Sequence, residues 1–256
     1  MKTALIGYTG FVGSNIAKQN KFSDYYNSQN IEGIKNTSYD LIISAANSSL
    51  MWKANLEPEK DWEDIKRFID IIKTVNAKHF VLLSTIEVYD NPIDVTEDSV
   101  IKESALKPYG KNRLKLERFI KKQFKNHTII RMPNLFGENL KKNFVYDLIH
   151  NNHLDYTHKD NQQQWYYLKN IWKDIETAIK NDLKTVNFSV EPISCEELAR
   201  YTLGMDFTTV TNTPARIYNM LTKYSHYYHS STGYLYNKKE TLKNLKTFIQ
   251  KEIKSL

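Results

Sequence analysis

The 256-residue chain reads as an α/β protein, a doubly wound parallel sheet with a smaller C-terminal portion. Three observations predict it. Strand-like and helix-like segments alternate through the first half, the order that lays helices on both faces of a parallel sheet. Glycine is scarce, with only 8 residues, yet Gly7, Gly10 and Gly13 fall between the first apolar run and the first helical pattern. A content of 41% hydrophobic and 25% charged residues, with no apolar run of about 18 residues, excludes a membrane-spanning helix.

The elements follow in order. Residues 2–7 form an apolar run read as the first strand; one preceding lysine and no clear small-x-small cleavage site argue against a signal peptide. A helix is expected from Phe11 to about Asn20, a strand over 22–27 and a third strand over 40–46. Trp62, Ile65, Phe68, Ile69 and Ile72 recur at helical spacing within 57–76. A strand over 79–84, a helix over 109–125 and a strand over 128–132 complete the alternation. Only residues 28–39 join the second and third strands, little for the helical crossover of a parallel pair, so a shrunken or irregular connection is expected. After Asn134 the pattern loosens, with helices at 144–150 and 170–179 and a strand at 185–190. Ser194 through Glu197 reads as a capping box. Residues 238–253 read as a basic amphipathic helix, packed on the protein in preference to lying on a membrane surface.

Charge and metal-ligand types bound the function. The single Cys195 excludes an internal disulfide framework and suits a reducing, cytoplasmic setting. Between Lys107 and Lys125 eight basic residues face one acid, Glu117, an excess equal to the net charge of +7. A solvated helix face is the plain reading, and attraction of a phosphate-bearing ligand the functional one. No zinc-finger spacing or RNA-recognition motif supports nucleic acid as partner, and the seven histidines show no zinc spacing.

Gly7-Tyr8-Thr9-Gly10-Phe11-Val12-Gly13 lies directly between strand and helix. Glycines there permit a tight turn, and a helix N-terminus offers free N–H groups and partial positive charge to a pyrophosphate. The G-x-x-G-x-x-G spacing resembles the extended short-chain dehydrogenase/reductase superfamily, the NAD-dependent epimerase/dehydratase family. That resemblance implies a Rossmann-type domain over 1–134 and 160–190, and a substrate-binding portion over 135–159 and 191–256. It implies NAD or NADP held by Gly7, Thr9, Gly10, Phe11, Val12, Gly13, Asn27, Ser28, Ala45, Ala46, Tyr109, Arg113 and Pro133. An acid ending the second strand favours NAD and an Arg favours NADP; Asp24 comes early, and the choice stays open.

Two further segments carry the resemblance. Ser84-Thr85-Ile86-Glu87-Val88-Tyr89 resembles the family's Ser-Thr/Ser-x-x-Val-Tyr pattern, and Tyr109 through Arg113 matches Tyr-x-x-x-Lys except at its last residue. By resemblance Thr85 holds the substrate oxygen and Tyr109 moves its proton. A phenol of pKa about 10 needs a neighbouring cation to act as base. Arg113, at i+4 from Tyr109, shares its helix face and is expected to lower that pKa and bind cofactor ribose, without itself releasing a proton. The related dehydratases carry Asp and Glu after the Thr; here Ile86 takes the Asp position, and only Glu87 remains as a base. This disfavours elimination of water against epimerisation or ketone reduction.

The stretch Arg131 through Gly137 is similar to the family's Arg-x-x-Asn-x-[Tyr/Phe]-Gly, which makes Asn134 a substrate residue. Lys141, Lys142 and Asn143 fall where a nucleotide diphosphate is bound, and Gln163 lies near the position of a family Arg. The expected function is NAD(P)-dependent epimerisation or ketone reduction of a nucleotide-activated or related sugar, a small-molecule partner, with homodimers common in the class. The alternative is a catalytically degenerate dinucleotide-sensing protein of the same fold.

Overall fold

In the computed structural model, which describes residues 1–47 and 49–256, six strands build one sheet. They are β1 (Thr3–Ile6), β2 (Asp24–Tyr26), β3 (Ser38–Ser44), β4 (Asn76–Thr85), β5 (His127–Met132) and β6 (Thr185–Asn187). Their spatial order is β2-β1-β3-β4-β5-β6, with every neighbouring pair parallel. The apolar runs Leu41-Ile42-Ile43 and Phe80 through Leu83 are buried, as strands covered on both faces require.

The helices of this unit are α1 (Phe11–Gln19), α2 (Met51–Leu56), α3 (Pro58–Ile72), α4 (Pro108–Gln123) and the later helix Ile171–Lys180. Ile65 and Ile72 of α3, Leu116 and Ile120 of α4, and Ile42, Phe80 and Ile129 of the sheet share one core. The short connection between β2 and β3 holds a single 3-10 turn, Ile31–Ile34. Ile34 is fully buried, and that burial, on the order of 2 kcal/mol, anchors a crossover too short for a helix. Strand order reverses between β1 and β3, so the crevice beyond their C-terminal ends is the topological switch point.

The chain divides into two compact units, the first comprising 1–91, 98–132 and 171–187, the second 92–97, 133–170 and 188–256. These bounds depart from those expected. Trp165–Tyr167 pairs with Asn134–Phe136, which carries 160–170 into the second unit, and Ile93–Val95 pairs with Asn219–Met220. The helices Phe144–His150, Cys195–Leu203 and Lys238–Ile253 surround this unit's own core of Phe136, Trp165, Leu198, Leu245 and Phe248. Ser194 caps its helix by accepting from Glu197 N–H at 3.0 Å. Cys195 is fully buried here, and burial pushes its thiol up to about 12. The last helix packs through Leu242, Leu245, Phe248 and Ile249. No helix among the described residues is long and apolar enough to cross a membrane.

Candidate active site

β1 runs into the glycine loop. Gly7 has φ +85°, which L side chains rarely adopt, and a Cβ there would lie 2.5 Å from the Ala45 carbonyl oxygen. A Cβ on Gly13 would lie 2.0 Å from the Gly7 carbonyl oxygen, so the first turn of α1 sits directly on the loop. No side chain caps α1 and no acid occupies its first turn. The first-turn N–H groups of Phe11, Val12 and Gly13, which lack intrahelical acceptors, are therefore donors suited to an anion such as pyrophosphate.

Thr9 is exposed at the loop tip, and Ala45 and Ala46 follow β3 across the switch point, Ala45 N–H donating to Ile6 O at 2.8 Å. Beyond β2, half-buried Asn27 places its amide nitrogen 3.5 Å from the Tyr8 hydroxyl, and Ser28 is exposed. Asp24 accepts the Tyr39 hydroxyl at 2.8 Å and lies 3.8 Å from the Lys2 ammonium, a strand-packing role.

At the end of β4, Thr85 Oγ1 accepts from Glu87 N–H at 3.2 Å and so caps the 3-10 turn Ile86–Val88. Its hydroxyl proton is left to donate. Ile86 is buried and Glu87 half-buried. The start of α4 packs hard on this turn: a Cβ on Gly110 would lie 1.9 Å from the Glu87 carbonyl oxygen. Next to it Tyr109 is buried, its N–H donating to Asn55 Oδ1 of α2 at 3.0 Å.

Arg113 lies with its guanidinium carbon 4.3 Å from the Tyr109 ring centroid. Its two terminal nitrogens donate to the Asp61 carboxylate of α3 at 2.8 and 2.9 Å, and the Arg113 side chain is 2% exposed. Asn112 adds a bond to Asp61 at 2.9 Å. Burial raises the Asp61 carboxyl, but these bonds and the Arg113 charge outweigh it and hold the group below the usual carboxylate range.

The Arg113 guanidinium is engaged by Asp61 and the tyrosine ring. One expectation is corrected here, that of a Tyr109 hydroxyl lowered below its ordinary value. Burial raises the Tyr109 hydroxyl above its ordinary value; Arg113 pulls it down, but Glu87 and Asp61 push it up, and the net direction is upward. The basic helix face is also revised, because Arg113 is internal and Glu117 pairs with buried Arg131 at 2.8 Å.

Glu117 ties the Thr85 segment to the sheet. It accepts the Ser84 hydroxyl at 2.6 Å and Arg131 Nε at 3.2 Å, while Arg131 donates to the Tyr89 hydroxyl at 2.7 Å. Both flanks of the Thr85 turn are thus fixed to one buried ion pair.

Within the second unit, Asn134 donates its amide to Gln163, so two expected substrate residues meet. Pro133 is buried, and Lys141 and Lys142 are exposed. Asn143 caps the helix Phe144–His150: its oxygen accepts from Val145 and Tyr146 N–H, and its nitrogen donates to Leu135 O at 2.9 Å. Among the described residues, no group of three His, Cys, Asp or Glu is placed to hold a metal.

A model of the NAD dependent epimerase/dehydratase family matches residues 20–170, more than half of the chain. The chain belongs to this family. No curated protein sequence matches. Among solved structures, a dTDP-4-dehydrorhamnose reductase from Clostridium acetobutylicum is similar at TM-score 0.70 and 19% identity, over 98% of this chain and 99% of that one. A UDP-N-acetylglucosamine 4-epimerase from Methanobrevibacter ruminantium, in complex with UDP-N-acetylmuramic acid, gives 0.74 at 16% identity over 100% and 99%. MoeE5 in complex with UDP-glucuronic acid and NAD gives 0.76 at 14% identity over 100% of both chains.

For a member of this family, the residues that sequence reasoning missed are Asp61, Asn55 and Asn112. Asp61 left a signal: with Ile65, Phe68 and Ile72 it falls on the apolar stripe of α3, where an acid requires a partner.

Proposed function

We propose that the protein uses NAD or NADP to epimerise or reduce a carbinol or carbonyl centre of a nucleotide-activated or related sugar. One observation carries the reading. The Thr85 turn and Tyr109 are packed together beyond the C-terminal end of β4, at the same end of the parallel sheet as the uncapped start of α1. That end is where open α/β sheets bind ligands.

The loop from Gly7 to Gly13, with Ala45 and Ala46, fits the dinucleotide pyrophosphate, and Asn27 and Ser28 are the candidates at the adenosine ribose. Once bound, the dinucleotide supplies hydride exchange. Thr85 donates a hydrogen bond to the substrate oxygen, and Tyr109 passes a proton to or from it. Glu87 is the candidate base for a carbon-bound proton. In the second unit Asn134, Gln163, Lys141 and Lys142 are the candidate contacts to the nucleotide diphosphate.

A second reading, a dinucleotide-sensing protein that turns over poorly, draws support from the Arg113–Asp61 pair standing in place of the family lysine. Calorimetric titration with NAD(H) and NADP(H) tests the part common to both. Saturable binding is expected, weakened at least about tenfold in Gly13→Ala, whose Cβ breaks the loop's contact with α1. Absence of binding, or equal binding by the variant, contradicts the reading.

A further inference from the structure

We propose that Asp61 is a positioning residue of this site: it seats the Arg113 guanidinium against the Tyr109 ring and offsets part of its charge, so that Tyr109 enters the reaction as a proton donor. The inference rests on reading Tyr109 as the acid-base group. In reduction, the Tyr109 O–H bond breaks and the substrate carbonyl oxygen takes the proton. The carbonyl carbon takes a hydride from the reduced nicotinamide dinucleotide, and the phenolate regains its proton from solvent.

The groups facing Tyr109 come from every element around it. Arg113 lies on its own helix, Asp61 on α3 and Glu87 on the turn after β4, while α2 contributes the neutral Asn55. One cation thus meets two acids. Because Arg113 binds Asp61 through both terminal nitrogens, part of its charge is offset at the phenol, to which Arg113 also hydrogen-bonds. A free cation at 4.3 Å from the ring would favour phenolate by one to three units at this kind of range, roughly speaking. Burial is the largest cause of the upward displacement of Tyr109, and Glu87 and Asp61 add to it against the lowering by Arg113. A guanidinium is also the cation that this geometry needs, since its planar fork meets both carboxylate oxygens and stacks on a ring, which an ammonium does not do.

The experiment reads the phenol directly, without substrate or cofactor. Tyrosinate absorbance is titrated in the full chain and in Asp61→Asn and Asp61→Glu, each against the same protein carrying Tyr109→Phe, with circular dichroism marking the limit of the folded range. Wild-type Tyr109 is expected to titrate above about 10, the ordinary tyrosine value. Asp61→Asn leaves the Arg113 charge uncompensated and is expected to lower the midpoint by about one unit or more, while Asp61→Glu restores it. A wild-type midpoint below the ordinary value, or a folded Asp61→Asn with an unshifted midpoint, overturns the proposal. Should Asp61→Asn fail to fold, Asp61→Ser is titrated in its place, with the same lowering expected and an unshifted midpoint overturning the proposal. These midpoints do not depend on turnover or dinucleotide binding, so failure of the functional reading is seen separately.

Discussion

Tyr109 is placed by its neighbour as much as by its own contacts. Gly110 allows the first turn of α4 to rest against the backbone of Glu87, where a Cβ would come within 1.9 Å of a carbonyl oxygen that cannot swing aside. Gly110→Ala is expected to cost about 1–3 kcal/mol, as overpacking does. It should also move Tyr109 away from the Thr85 turn, lowering turnover more than dinucleotide affinity. Denaturant unfolding and binding titration check the two halves, and an alanine variant with wild-type stability would show that the contact is looser than described. At this scale the glycines, Thr85 and Tyr109 were legible because each belongs to a short motif whose local geometry needs that residue type. Arg113 was legible as a departure, but its role was not: a cation at i+4 from the tyrosine says nothing of an acid more than 50 residues earlier that binds it.

Between elements, buried charge joins what apolar packing alone would leave free to slide. Tyr109, Arg113 and Glu117 recur every four residues along α4 and share a face; Arg113 bonds α3, and Glu117 bonds β4 and β5. Glu117→Gln would leave Arg131 without its counter-charge in a site where the two side chains are 0% and 4% exposed. A loss of about 3–5 kcal/mol is expected, measured by denaturant unfolding, together with reduced turnover through the loosened flanks of the Thr85 turn. A variant of unchanged stability would contradict the coupling. The strands and helices of the first unit were readable from periodicity because they are long or continuously apolar. The helix Met51–Leu56 was missed, being six residues with little amphipathic period. Strands of two or three residues in the second unit, such as Gln162–Gln163, are too short for any alternation to register.

As a whole, the chain carries two units with separate cores, and the first holds the glycine loop, Thr85, Glu87 and Tyr109. Its parallel sheet was legible in the alternating order of segments, and the strand order reverses where the β2–β3 connection returns across β1. The bounds of the second unit were less legible, because the pairings that define it join residues far apart in sequence, Asn134–Phe136 with Trp165–Tyr167 among them. The central claim is that Tyr109 performs proton transfer in dinucleotide-dependent chemistry on a sugar nucleotide. It is tested most directly by incubating wild type and Tyr109→Phe with NAD(P)(H) and a panel of nucleotide sugars and their keto forms, and resolving product isomers by mass spectrometry and NMR. The account predicts conversion by wild type and a loss of at least about a hundredfold in Tyr109→Phe. Equal conversion by both proteins, or none by wild type across the panel, would contradict it.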